Sequence, residues 1–130
     1  MSRYRTGINH IELWVSDLSR SALFYKGVLE LIGWQQTNYR SFATDSMEIY
    51  LVEHPELKRT DNLGVRHIGF QALAREQVEA VACFLQQTGA SIIRGPVEMP
   101  YSKGYYTIDF YDPDGMVVEV AHTPNMDFKA

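Results

Sequence analysis

A single cysteine, Cys83, stands in 130 residues. It excludes an intrachain disulfide framework and fits a reducing compartment, so a cytoplasmic protein is expected. Basic residues are outnumbered: 12 Lys and Arg face 16 Asp and Glu, a formal net charge of -4. That balance argues against nucleic acid as a partner, because its binders usually carry a basic excess. No apolar run approaches a membrane span. The opening MSRYRTGINH passes from basic residues into a candidate strand with no apolar signal core. Low-complexity stretches and charge blocks are missing too. What remains is an ordinary composition, 45% hydrophobic and 22% charged, in a chain expected to form one domain over 1–130.

The segment GINHIELWV alternates. Ile8, His10, Glu12 and Trp14 share one face of a predicted strand, and Asn9, Ile11, Leu13 and Val15 share the other. SDLSRSALFYKGVLEL follows, with Ser16 or Asp17 as N-cap and Ala22, Tyr25, Val28, Leu29 and Ile32 at helical spacing. Short strands, a second helix with Val78, Val81, Ala82 and Leu85 inward and Gly89 as its stop, and three more strands complete the pattern.

The order strand, helix, three strands occurs twice, so an internal repeat is expected. NHI at 9–11 matches RHI at 66–68, which pairs His10 with His67. SMEIYLVEH at 46–54 resembles GMVVEVAH at 115–122, which pairs Tyr50 with Glu119. Module one is placed at about 7–54, a linker at 55–64, module two at about 65–122 and a tail at 123–130. The fold class is α+β: two βαβββ modules forming a curved mixed sheet, a cup, with helices outside.

In equivalent halves, His10 and His67 take equivalent points on the two first strands, and Glu119 lies on the last strand. Two imidazoles and a carboxylate suit one divalent transition metal, Fe, Mn, Ni or Zn, and leave positions open for substrate. Glu119 sits in MVVEVA, where an unpaired carboxylate is costly and a metal removes the cost. His54 and His122 lie at strand ends beside turn residues and are expected to be exposed.

At HIELWVSDLSRSALFY, RHIGF and DFYDPDGMVVEV the chain resembles the vicinal oxygen chelate superfamily over roughly 7–122, nearly its whole length. That group includes glyoxalase I, extradiol dioxygenases, fosfomycin-resistance transferases and bleomycin-resistance proteins. The resemblance implies the paired-module cup, a divalent metal and a homodimer. It puts the family's ligands on His10, His67 and Glu119, and its fourth ligand position on Tyr50, with Glu48 one same-face step away. Tyr50 departs from the carboxylate of a glyoxalase I, and Glu48 replaces it only if the strand slips by two residues. Asp109 stands where extradiol enzymes carry an acid–base tyrosine, and Glu12 where fosfomycin transferases carry a threonine.

The resulting expectation is isomerase- or lyase-type chemistry on a small substrate with adjacent oxygens, through a metal-stabilised enolate, with Glu12 or Asp109 moving protons. The alternative for Glu12 is an ion pair with Arg40 or Arg66. Other readings are an Fe(II) extradiol-type dioxygenase, a resistance protein that sequesters a small molecule without catalysis and, behind these, a fosfomycin-type thiol transferase. Trp14, Phe42, Tyr50, Tyr105 and Tyr106 are candidates to line a substrate pocket. The loop PYSKGYY is placed as a lid, with Lys103 to meet an anionic group.

Overall fold

The computed structural model describes residues 6–128, so the basic opening residues 1–5 and the last two of the tail lie outside it. Ten elements follow in order: β1 (His10–Val15), α1 (Leu18–Leu31), β2 (Gln35–Asn38), β3 (Ser41–Ala43), β4 (Glu48–Glu53), β5 (His67–Ala72), α2 (Arg75–Thr88), β6 (Ile92–Glu98), β7 (Tyr106–Tyr111) and β8 (Val117–His122). Contacts divide the chain into two compact units with their boundary between Lys58 and Arg59. Each unit is one βαβββ module, and the class is α+β.

Module one forms a sheet in the order β1-β4-β3-β2, and module two one in the order β5-β8-β7-β6. In each, the first strand runs parallel to the last, and the remaining pairs are antiparallel. The helix makes this possible, since a parallel return needs a crossover longer than a hairpin.

Asp17 is the N-cap of α1, accepting from Arg20 N at 3.0 Å. Phe24, Tyr25, Val28 and Leu29 are the buried stripe of that helix, and Val15, Phe42, Ile49 and Leu51 are buried strand residues of the same module. Phe42 is fully enclosed, so it serves the core and lines no pocket. Helix α2 buries the expected Val78, Val81, Ala82 and Leu85 and ends at Gly89, whose φ of 74° suits glycine. The DPDG turn holds β7 to β8: Asp112 Oδ1 accepts from Asp114 N and Met116 N, both at 2.9 Å. Among the described residues no helix is long and apolar enough to cross a membrane.

Candidate metal and substrate site

The two modules share a register. In module one His10 stands opposite Glu48 and Glu12 opposite Tyr50. In module two His67 stands opposite Val117 and Gly69 opposite Glu119. His10 therefore corresponds to His67, and Tyr50 to Glu119. The two-residue slip that would bring Glu48 into the place of Tyr50 does not occur.

One row crosses all four strands of module two: Gly69, Glu119, Asp109 and Arg94 are successive register partners. Alternation along β7 and the residue before it puts Tyr105, Thr107 and Asp109 on one face. Tyr106 belongs to the opposite parity and lies under the Arg75 guanidinium, 3.7 Å from its ring centroid, so it leaves the expected aromatic lining. Glu119 is 7% exposed. Its Oε2 accepts from the Tyr105 hydroxyl and the Thr107 hydroxyl, each at 2.7 Å. Its Oε1 lies 3.4 Å from His67 Nε2. A Cβ built on Gly69 would meet only that same oxygen, at 3.7 Å, so the space over Gly69 is open. Burial, then the hydrogen bond to Glu119, push the Tyr105 phenol well above its usual range, so it remains a donor.

Asp109 Oδ2 accepts from Arg94 Nε at 2.8 Å, while Oδ1 is buried with no hydrogen-bond partner. Burial, and then the Glu119 charge, raise its pKa, with Arg94 acting against them. Arg94 also reaches the Tyr101 hydroxyl at 3.4 Å, and Tyr101 meets Tyr105 edge-on at 5.1 Å between centroids. Arg94 was not among the sequence candidates. Its signal is a lone arginine in the apolar run SIIRGPVE, but bulges on both sides of it in β6 hide its register with Asp109.

Module one is built differently around His10. Glu12 accepts from Trp14 Nε1 at 2.5 Å and from the Tyr50 hydroxyl at 3.0 Å, one donor to each oxygen. These bonds, Trp14 first, hold the Glu12 pKa below its usual value, and the Glu12 bond raises that of Tyr50. The direct partners of Glu12 are thus Trp14 and Tyr50; Arg40 instead lies over the Tyr50 ring, 5.4 Å from its centroid. His10 Nδ1 meets Asn9 Oδ1 at 2.8 Å, which makes Nδ1 the N–H and leaves Nε2 a lone pair. Trp14 is exposed and rests on His54, with centroids 4.1 Å apart. His54 and His122 are half-buried rather than exposed. Lys103 is exposed, and its carbonyl accepts from Asn125 Nδ2 at 2.8 Å.

Each module carries donors of the types that ligate metals. Within module two a histidine nitrogen and one carboxylate oxygen face each other, and the second carboxylate oxygen is held by two hydroxyls, the arrangement that orients a ligating carboxylate. Module one offers His10 with its tautomer fixed by Asn9. Among the described residues no group of three or more His, Cys, Asp or Glu side chains is gathered so that it could hold a metal ion, so His10, His67 and Glu119 are not brought together as a ligand set.

Fold and donor set define a paired βαβββ protein with a histidine on each first strand and a buried carboxylate on the last. The family model "Glyoxalase/Bleomycin resistance protein/Dioxygenase superfamily" matches residues 7–120. The chain belongs to that superfamily. It is similar to the uncharacterized protein YqjT of Bacillus subtilis (strain 168), 27% identical over 124 residues, covering 87% of this chain and 96% of that one. It shares its fold with a glyoxalase/dioxygenase from Nostoc punctiforme, at TM-score 0.74 and 22% identity over 92% of each chain. A glyoxalase/bleomycin resistance protein from Albidiferax ferrireducens T118 matches at TM-score 0.71 and 21% identity, over 89% of this chain and 98% of that one.

Proposed function

We propose that this chain is a divalent-metal-dependent enzyme of its superfamily, acting on a small substrate with adjacent oxygens by isomerase- or lyase-type chemistry. In this reading His10, His67 and Glu119 hold the metal, which is Fe, Mn, Ni or Zn. The observation that carries it is Glu119: a 7% exposed carboxylate with one oxygen held by two hydroxyls and the other turned to His67 beside an open glycine. Burying such a group for packing alone is costly, whereas ligation uses its charge.

Bound there, the metal supplies Lewis acidity toward a substrate carbonyl. Tyr105 and Thr107 keep Glu119 turned to His67. Arg66 Nη1 lies 3.2 Å from His67 Nδ1, which makes Nδ1 the acceptor and gives Nε2 the proton in the metal-free form. Ligation through Nε2 would therefore need the other tautomer, with the ring proton moved to Nδ1 and Arg66 turned away from it. Of the two carboxylates considered for proton transfer, Asp109 suits the task better. Glu12 has a donor on each oxygen and a lowered pKa, and it positions Tyr50. Asp109 Oδ1, though buried, has no donor.

Elemental analysis of purified, unsupplemented protein beside His67→Ala tests the reading. About one transition metal per chain, lost in the variant while circular dichroism is unchanged, is the expected result. A chain that takes up no divalent ion even on reconstitution refutes it.

A further inference from the structure

Asp109 presents a problem that the metal reading does not solve. Its side chain is 16% exposed, and Oδ1 is enclosed with no donor. A carboxylate oxygen left in that state is destabilising, and such atoms in folded proteins call for a partner. Arg94 does not relieve it, because its bonds go to Asp109 Oδ2, Met99 Sδ and the Tyr101 hydroxyl. The row of four residues is asymmetric. Its Arg94 end is engaged with Met99 and Tyr101 of the loop after β6, and its Gly69 end has no side chain. Next along the row from Gly69 and Glu119 comes Asp109, the direct cross-strand partner of Glu119.

We infer that Asp109 is a substrate-binding residue whose Oδ1 takes an O–H or N–H donor carried beside the substrate's oxygen pair, and that Arg94 is the positioning residue that reserves this oxygen. The inference rests on the proposed metal site. It narrows the substrate class to compounds with an O–H or N–H donor on or next to the chelating oxygens, such as α-hydroxy carbonyls, over diketones and ionised α-keto acids, which have none. Arg94 supplies the selectivity. Its Nε donor fixes Oδ2, so the carboxylate cannot rotate to satisfy itself, and Tyr101 braces the guanidinium from the other side.

The test uses zinc-loaded protein and two probes, acetohydroxamate and N-methylacetohydroxamate, by calorimetry. Both present two adjacent oxygens; only the first has an N–H. Wild type should bind the first about tenfold more tightly, the scale of a hydrogen bond to a charged group. Asp109→Asn is isosteric, and Arg94 Nε can donate only to its carbonyl, which leaves the amide NH2 in place of Oδ1. Donor then faces donor, and the preference should vanish. Adding Arg94→Met to Asp109→Asn frees the amide to turn, so part of the preference should return. A purely structural role for the pair would change both affinities alike and give no such rescue. Equal affinities in wild type, a preference that survives in Asp109→Asn, or no binding of either probe by the loaded protein overturns the inference. Failure to take up zinc, measured before any probe is added, removes instead the metal reading beneath it.

Discussion

Glu119 depends on two hydroxyls, and removing them one at a time tests the site without touching a proposed ligand. Tyr105→Phe and Thr107→Val each delete one donor to Oε2 and keep the side-chain shape. Thr107 is fully buried, and its single hydroxyl proton has two acceptors, Glu119 Oε2 at 2.7 Å and Val120 O at 3.2 Å; the shorter, charge-assisted bond dominates. A hydrogen bond to a charged group contributes about 1.5–3 kcal/mol. The added apolar contact of valine offsets up to about 1 kcal/mol of this. Each single variant of the metal-free protein should therefore lose about 1–2 kcal/mol, or about 4–8 °C in Tm. The double variant should lose more than the sum, since the first deletion leaves Oε2 one donor and the second leaves none. Zinc affinity should fall by about tenfold or more per deletion, the usual scale for groups that orient a ligand. Urea unfolding of the four proteins and competition with a chromophoric chelator measure both quantities. Strictly additive losses with unchanged zinc affinity would refute the argument, because Glu119 would then be held by the sheet alone.

Two further outcomes follow from the same row. Asp109 has a raised pKa in the folded chain, so between its unfolded value of about 3.9 and the folded one the native state holds the extra proton. Its contribution is complete below the unfolded value and is lost as pH rises through the folded one. The stability of metal-free wild type minus that of Asp109→Asn should thus decline as pH rises from about 4, and a rising difference in urea titrations would contradict the assigned cause. At Gly69 the backbone is not left-handed, and a Cβ would sit 3.7 Å from Glu119 Oε1. Gly69→Ala should keep zinc binding, whereas the branched Gly69→Val should block it with the fold intact by circular dichroism; tight zinc binding in the valine variant would show that the space over Gly69 is not used.

Much of this arrangement was legible because the chain states its plan twice. NHI and RHI locate the first strands, and the pairing of Tyr50 with Glu119 follows once both modules place the last strand parallel to the first. The helices were readable from apolar spacing, since Val78, Val81, Ala82 and Leu85 are the residues α2 buries. The parts that stayed hidden depend on tertiary register. Glu12 offered a choice of cations, yet its neighbours one step along the same face and one strand across are Trp14 and Tyr50. Phe42 and Tyr106 read as candidate lining because strand periodicity tells which residues share a face, not which face meets a helix. The bond between Arg94 and Asp109 crosses a strand with two irregularities, so counting residues from either turn gives the wrong partner.

The divergence between the modules bears on ligand number. Glu12 and Gly69 occupy corresponding points, each opposite the residue in the last-strand ligand position. In module two that point is a glycine, and Glu119 turns Oε1 to His67. In module one it holds a carboxylate that accepts the Tyr50 hydroxyl, raises the Tyr50 pKa and so keeps the phenol protonated. A protonated phenol bound to its own acceptor is a poor ligand, because metals take the deprotonated form. The substitution at position 12 thus reinforces the one at position 50. In the proposed metal site, the two together would withhold a fourth protein ligand and leave one more coordination position to the substrate, as the proposed chemistry on two adjacent oxygens requires.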